Sequence, residues 1–184
     1  MTATLSTVRL HEQDRPALES HFASLDGVDR RLRFGSTIAN VGIASYVARL
    51  DFERDGLFAV HDEDLCVVAA VHVATTGHSA ELGLSVLPEW RGKGLGNALF
   101  TRAVTFLRNR GATEVFVHCL SENGAMMHLA RKNGMRIVYA GAESDARLHL
   151  DEATANSFVD EWLEDQRAEA LRSLRRNARA MPGL

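Results

Sequence analysis

A chain of 184 residues, 46% of them hydrophobic, is long enough to bury the core of one domain without help from disulfides or metal. Lys and Arg number 21 against 24 Asp and Glu, a formal charge of -3, which excludes bulk attraction to nucleic acid and leaves room for a local basic patch. Cys66 and Cys119 lie in separate apolar runs and read as two buried free thiols, rather than a bridge or a zinc pair, of a reducing compartment. The first residues have no charged start and apolar core, and no apolar stretch nears the roughly 18 residues of a membrane span, so a cytoplasmic setting without membrane contact is expected.

The spacing predicts a strand over residues 4–10 and a helix over 11–25, with Leu18, Phe22 and Leu25 at helical intervals. Gly27 and the basic run Arg30, Arg31, Arg33 read as a break, followed by a second helix over 38–54 with Val41, Ser45, Tyr46 and Arg49 on one face and Gly56 at its end. Residues 57–60 and 65–74 are β-rich apolar runs joined by His61-Asp62-Glu63-Asp64, the composition of a hairpin turn. A strand over 81–87 stops at Pro88, and a glycine cluster opens a helix over 95–110, its stripe being Leu95, Ala98, Leu99, Arg102, Ala103, Phe106 and Leu107. Next come a short buried strand over 114–120, a helix over 125–132 stopped by Asn133-Gly134, and strands over 135–140 and 147–150. The last element is a long helix over 153–178, acidic at its start and basic at its end, as the helix dipole favours. Its Phe158, Trp162, Leu163, Leu171 and Leu174 form a stripe too apolar to leave in water, expected to pack on its own domain or on a second copy in a homodimer.

Chemistry concentrates in Val86-Leu87-Pro88-Glu89-Trp90-Arg91-Gly92-Lys93-Gly94-Leu95-Gly96-Asn97-Ala98-Leu99, where a strand runs through a glycine-rich turn into a helix. Such a turn aims several backbone N–H groups at one point, and the helix N-terminus adds partial positive charge, which together hold a pyrophosphate. Glycine lets the ligand approach the backbone, and Arg91 and Lys93 can add charge-assisted contacts. The run lacks a full dinucleotide fingerprint and has no Gly-Lys-Ser/Thr for magnesium and phosphate.

Arg91, Gly94 and Gly96 instead resemble the signature of the GNAT superfamily of acyl-CoA-dependent N-acyltransferases, Arg or Gln, two residues, Gly, one residue, Gly or Ala. Ala80 to Pro88 is similar to that family's fourth strand and bulge, and Asn123, Ala125, Leu129, Lys132, Gly134 and Met135 to its second cofactor segment, with Met for the usual Phe. The resemblance is specific from about Glu81 to Met135. It implies an α+β fold, a central mixed, splayed β-sheet flanked by helices, with an acyltransferase domain over 1–150 and a long C-terminal helix in an extension over 151–184. The implied co-substrate is acetyl-CoA, its pyrophosphate on Arg91, Gly92, Lys93, Gly94, Leu95 and Gly96, its pantetheine along the backbone of Leu84, Val86 and Leu87, and a contact from Asn123.

The same resemblance makes Glu81 the base that deprotonates an amine acceptor through water, and the Val86 N–H the oxyanion donor. Without a ligand, Glu81 is a solvated strand-end carboxylate and Asn123 a helix N-cap. The family's general-acid tyrosine falls on Ala130, a departure. His128, two positions earlier and so about 200° around the helix, is expected to face elsewhere, and Ser121 and Cys119 are the other substitutes. The resemblance implies an acceptor site near Arg30, Arg31, Arg33, Phe34, Tyr46 and Ser144-Asp145; the alternative for the stretch around Arg31 to Phe34 is an amphipathic turn with Leu32 and Phe34 in the core and the arginines solvated. Three functions remain in view: an N-acetyltransferase for a small-molecule or protein amine, a non-catalytic acyl-CoA-binding regulatory module suggested by Ala130, and a nucleic-acid-associated protein, which the charge balance disfavours.

Overall fold

The computed structural model describes residues 6–180. One seven-stranded sheet runs through the molecule in the order β1-β2-β3-β4-β5-β7-β6. The strands are β1 (Val8–Arg9), β2 (Gly56–His61), β3 (Val67–Thr76), β4 (Ser79–Val86), β5 (Glu114–Leu120), β6 (Arg136–Ala140) and β7 (Glu143–His149). Residues 4 and 5 of the expected first strand lie outside the described residues. Every neighbouring pair is antiparallel except β4 and β5, which run parallel across a crossover helix, α4 (Leu95–Asn109).

β2 and β3 are almost continuously apolar because helices cover both faces of the sheet. On one face α4 and α5 (Gly124–Lys132) pack Leu99, Phe106 and Met127 against Phe58, Val71, Val73 and Leu82. On the other, α1 (Arg15–Ala23) and α3 (Asn40–Ala48) set Leu18, Phe22, Ile43 and Val47 over Leu57, Ala59 and Ala70. Gly56 begins β2 rather than ending a helix. A Cβ there would lie 2.5 Å from Val73 Cγ2 and 2.6 Å from Phe106 Cε1, so its bareness lets α4 settle on the sheet.

Two helical readings need correction. The basic run is a helix, α2 (Gly27–Phe34): the Asp26 carboxylate accepts from Asp29 N at 2.8 Å as N-cap, and left-handed Gly35 closes it. Gly27 is thus the first helical residue, not a stop. α3 is shorter than expected and turned, with Ile43 and Val47 fully buried while Val41, Ser45 and Arg49 face outward. β7 extends further back than expected: its N-terminal half is polar and so carries no apolar period, with Ser144 buried between exposed Glu143 and half-buried Asp145.

The final helix, α6 (Ala155–Ala180), docks on its own domain through its polar face. Arg102, whose side chain is wholly buried in α4, pairs with Asp165 and lies over the Phe58 ring, 4.7 Å to its centre; Glu161 and Glu164 stand 3.9 Å away. Glu161 also accepts from Asn109 Nδ2 at 2.6 Å and Arg110 at 3.0 Å, and Arg172 pairs with Asp14 near the far end. Phe158, Trp162 and Leu174 are 51%, 60% and 65% exposed, so most of the apolar stripe turns away from its own domain, while Leu171 is half-buried beside a small pocket it lines with Val8 and His61. Among the described residues no helix is long and apolar enough to cross a membrane.

Candidate active site

β4 and β5 share three residue pairs, Ser79 with Glu114, Ala80 with Val115 and Glu81 with Phe116, and then part. β4 runs on to Pro88, where a short 3-10 turn, Pro88–Trp90, leads into the glycine loop. Gly92 and Gly94 have φ of 74° and 80°, a left-handed backbone that favours glycine, and a Cβ added at either would meet nothing within 4 Å. Gly94 is the N-cap of α4 and supplies no side chain, so the first-turn N–H groups and the positive end of the helix dipole face outward uncapped. The loop has the form of an anion cradle.

The cradle opens into a cleft of about 440 Å³. One wall is β4, through Leu84 and Val86, and the floor is Arg91, Gly92, Gly94, Leu95 and Gly96. α5 supplies Asn123, Ala125, His128, Leu129 and Lys132, and α2 overhangs it with Asp29, Leu32 and Arg33. Three of the residues expected to bind the cofactor or act as base lie outside this lining. Lys93 has its Nζ 4.1 Å from the centre of the Trp90 ring, and Leu87 N donates to Val68 O at 2.9 Å, tying the end of β4 to β3. Glu81 sits exposed at the last β4–β5 pair, on the opposite side of the sheet from Leu82.

Within the cleft, Arg91 donates from Nε to Val86 O at 3.1 Å and pairs with Asp29 Oδ2 at 2.6 Å, bridging the loop to α2. Asn123 caps α5 by accepting from Met126 N at 3.0 Å and also donates to Leu32 O at 3.3 Å, so it ties α5 to α2. Ala130 is fully buried and offers no proton. His128, expected to face elsewhere, lines the cleft: Ala125, His128 and Lys132 form the exposed flank of α5, with Leu129 buried at its edge, and Ala130 is the position turned into the core. Cys119 is buried, which pushes its thiol pKa up, whereas Cys66, expected to be buried too, is exposed just past the polar turn between β2 and β3; Ser121 donates to Gly141 O at 2.9 Å and shares a 2.7 Å hydrogen bond with Ser144.

The basic run divides its work. Arg30 donates to the carbonyls of Leu25, Ile38 and Ala23, Arg31 pairs with Glu122, and only Arg33 lies in the cleft. Arg33 is the end of a hydrogen-bonded chain that sequence reasoning missed. Asp55 Oδ2 is 3.1 Å from His72 Nε2, His72 Nδ1 is 2.8 Å from Tyr46 Oη, and Tyr46 Oη accepts from Arg33 at 3.0 Å. A carboxylate only accepts, so His72 carries its proton on Nε2 and Tyr46 donates to Nδ1; burial lowers the histidine pKa and keeps it neutral. The signal in the sequence was one histidine interrupting the apolar run of β3.

Beyond the last β4–β5 pair, His118 stands on β5 with Nδ1 2.7 Å from Asp145 Oδ1 and Nε2 3.5 Å from Glu143. The hydrogen bond to Asp145 raises its pKa, as do the charges of Asp145, Glu143 and Glu81, so carboxylates crowd this side of the opening. Among the described residues no group of three or more His, Cys, Asp or Glu side chains could hold a metal ion.

Residues 30–135, more than half of the chain, match the model of a family described as "Acetyltransferase (GNAT) family". No curated protein sequence matches the chain. Among solved structures, the GNAT domain of S. lividans PAT is similar with a TM-score of 0.67 and 17% identity, over 78% of this chain and 89% of that one. The ribosomal-protein-S18-alanine N-acetyltransferase of Escherichia coli gives 0.61 and 18%, over 82% and 97%. A phosphinothricin acetyltransferase from Sinorhizobium meliloti, in complex with AcCoA, gives 0.65 and 16%, over 83% and 91%. At these identities the likeness is one of fold.

Proposed function

Given that the chain belongs to the GNAT acetyltransferase family, we propose that it moves an acetyl group from acetyl-CoA to a primary amine of a small molecule or protein, by direct attack in a ternary complex. The observation that carries this reading is the parting of β4 from β5 directly after Glu81, on a sheet whose glycine cradle opens into the same cleft. The pyrophosphate fits the uncapped N–H groups of Gly92 to Gly96, and the pantetheine fits the edge of β4 along Leu84 and Val86, where β5 no longer pairs. Arg91 would exchange Asp29 for phosphate, and Asn123 would keep α5 in place.

In the reaction the amine nitrogen bonds to the thioester carbon and the C–S bond breaks. The amine proton passes to Glu81 through water, and the thiolate, with no acid at Ala130, is protonated by solvent. The carboxylates around the opening, Glu81, Asp145 and Glu143, favour the approach of a cationic ammonium before it loses its proton.

The test is calorimetric titration of acetyl-CoA followed by thiol release against a panel of amines. Glu81→Gln is expected to lower kcat by about 10²-fold and leave acetyl-CoA affinity unchanged; full activity in this variant from pH 6 to 9 would remove Glu81 as the base. A second reading, a non-catalytic acyl-CoA-binding module, rests on Ala130 and requires binding with no thiol release for any amine. Two unbridged cysteines suit a reducing, cytoplasmic setting, and the outward stripe of α6 suits a homodimer.

A further inference from the structure

We propose that Arg33 binds an anionic group of the acceptor, so that the preferred substrates are amines carrying a carboxylate close to the reacting nitrogen, as α-amino acids do. This rests on the acyltransferase reading and names the substrate class of that site. The guanidinium is wedged among three rings, with its carbon 4.9 Å from the centre of Phe34, 5.5 Å from Phe22 and 5.6 Å from Tyr46. Its single hydrogen bond goes to Tyr46, and its Nε is buried with no partner.

Arg33 is half-buried, and a partly desolvated cation without a counter-ion is costly; the more buried Arg102 and the docked Arg172 both have carboxylates. The neighbouring guanidinium of the cleft, Arg91, is paired with Asp29. Arg33 has no carboxylate partner among the described residues, yet it lines the cleft. A guanidinium that lines a cleft with one hydrogen bond and no carboxylate has donors left for an incoming oxyanion.

Its position suits the acceptor. Arg33 lies on Gly83 of β4, where a Cβ would stand 2.5 Å from its Cζ and 2.6 and 2.7 Å from its two terminal nitrogens. Gly83 is two residues beyond Glu81 on the same face, a step of roughly 7 Å along a strand. That is about the distance an α-amino acid spans with a hydrogen bond at each end, its amine toward Glu81 and its carboxylate toward Arg33. Tyr46, His72 and Asp55 are positioning residues: the tyrosine hydroxyl, committed to His72, can only accept from Arg33 and so holds the plane of the fork.

The experiment uses the whole chain in two measurements. In the first, α-amino acids are titrated calorimetrically into protein saturated with desulfo-CoA, wild type against Arg33→Gln and Arg33→Lys. Binding that weakens at least tenfold in Arg33→Gln and partly in Arg33→Lys, with desulfo-CoA affinity unchanged, is the expected result. In the second, thiol release is compared for each amino acid and its decarboxylated amine. The amino acids should be preferred at least tenfold in kcat/KM, and Arg33→Gln should erase that preference through KM. The proposal is overturned if Arg33→Gln weakens desulfo-CoA instead, if kcat falls equally for both acceptors, which would place Arg33 on the thioester, or if the decarboxylated amines are preferred. Absence of thiol release from every acceptor would refute the catalytic reading, while the titration would still decide for or against Arg33.

Discussion

His21 and His61 show how burial sets the acid limit of this molecule. His21 donates from Nδ1 to Val67 O at 3.0 Å and accepts from Ser85 at 2.8 Å, bridging α1 to β3 and β4, whereas both ring nitrogens of His61 are buried without partners. Burial pushes each pKa down to about 4. Between an unfolded value near 6.5 and that folded value the unfolded chain binds more protons, so stability is full above pH 6.5 and is lost as pH falls toward 4, by about 2 kcal/mol for each histidine at pH 5. His61→Leu is expected to flatten this loss by roughly half, read from urea midpoints at pH 7 and pH 5. At this scale the cleft was partly legible. The spacing of Arg91, Gly94 and Gly96 constrains the backbone and so announces itself. Arg30, Arg31 and Arg33 look alike in sequence and do three different things, because helix phase, set by a cap at Asp26, decides which of them points into the cleft.

Among elements, α4, β5 and α5 were readable because glycine and asparagine mark their ends. α2 was not, since a glycine just inside a capped helix resembles a glycine that stops one. For α6 the sequence left two alternatives, its apolar stripe on its own domain or on a second copy. Amphipathic reasoning expects the apolar face to turn inward, but the domain presents Arg102, Asn109 and Arg110, so the acidic face docks. Glu161→Ala should therefore destabilise the fold by about 3 kcal/mol, because it strips the acceptor from Asn109 and Arg110 and a counter-charge from beside the buried Arg102. Glu169→Ala, at an exposed position of the same helix, should stay within about 0.5 kcal/mol, and urea unfolding of the pair distinguishes a docked helix from a loose one.

For the whole molecule, the alternation of strands and helices was visible in hydrophobic period, but the splay was not. Three parallel pairs followed by separation leave no local mark in Ser79 to Val86, and only the likeness of the flanking motifs implied it. The outward stripe at Phe158, Trp162 and Leu174 belongs to this scale too. On the homodimer reading, sedimentation equilibrium at micromolar concentration should give twice the 20.2 kDa chain mass, and Trp162→Glu should return it to one; a wild-type monomer would discard that reading.

Gly83 and Arg33 occupy the same space, fifty positions apart in the chain. A lineage carrying this protein cannot acquire any side chain at 83 without displacing the guanidinium, and once the arginine is gone nothing holds the glycine. The two positions should be inherited as a unit, so that a chain with an altered residue 83 announces, before any assay, that its acceptor has changed.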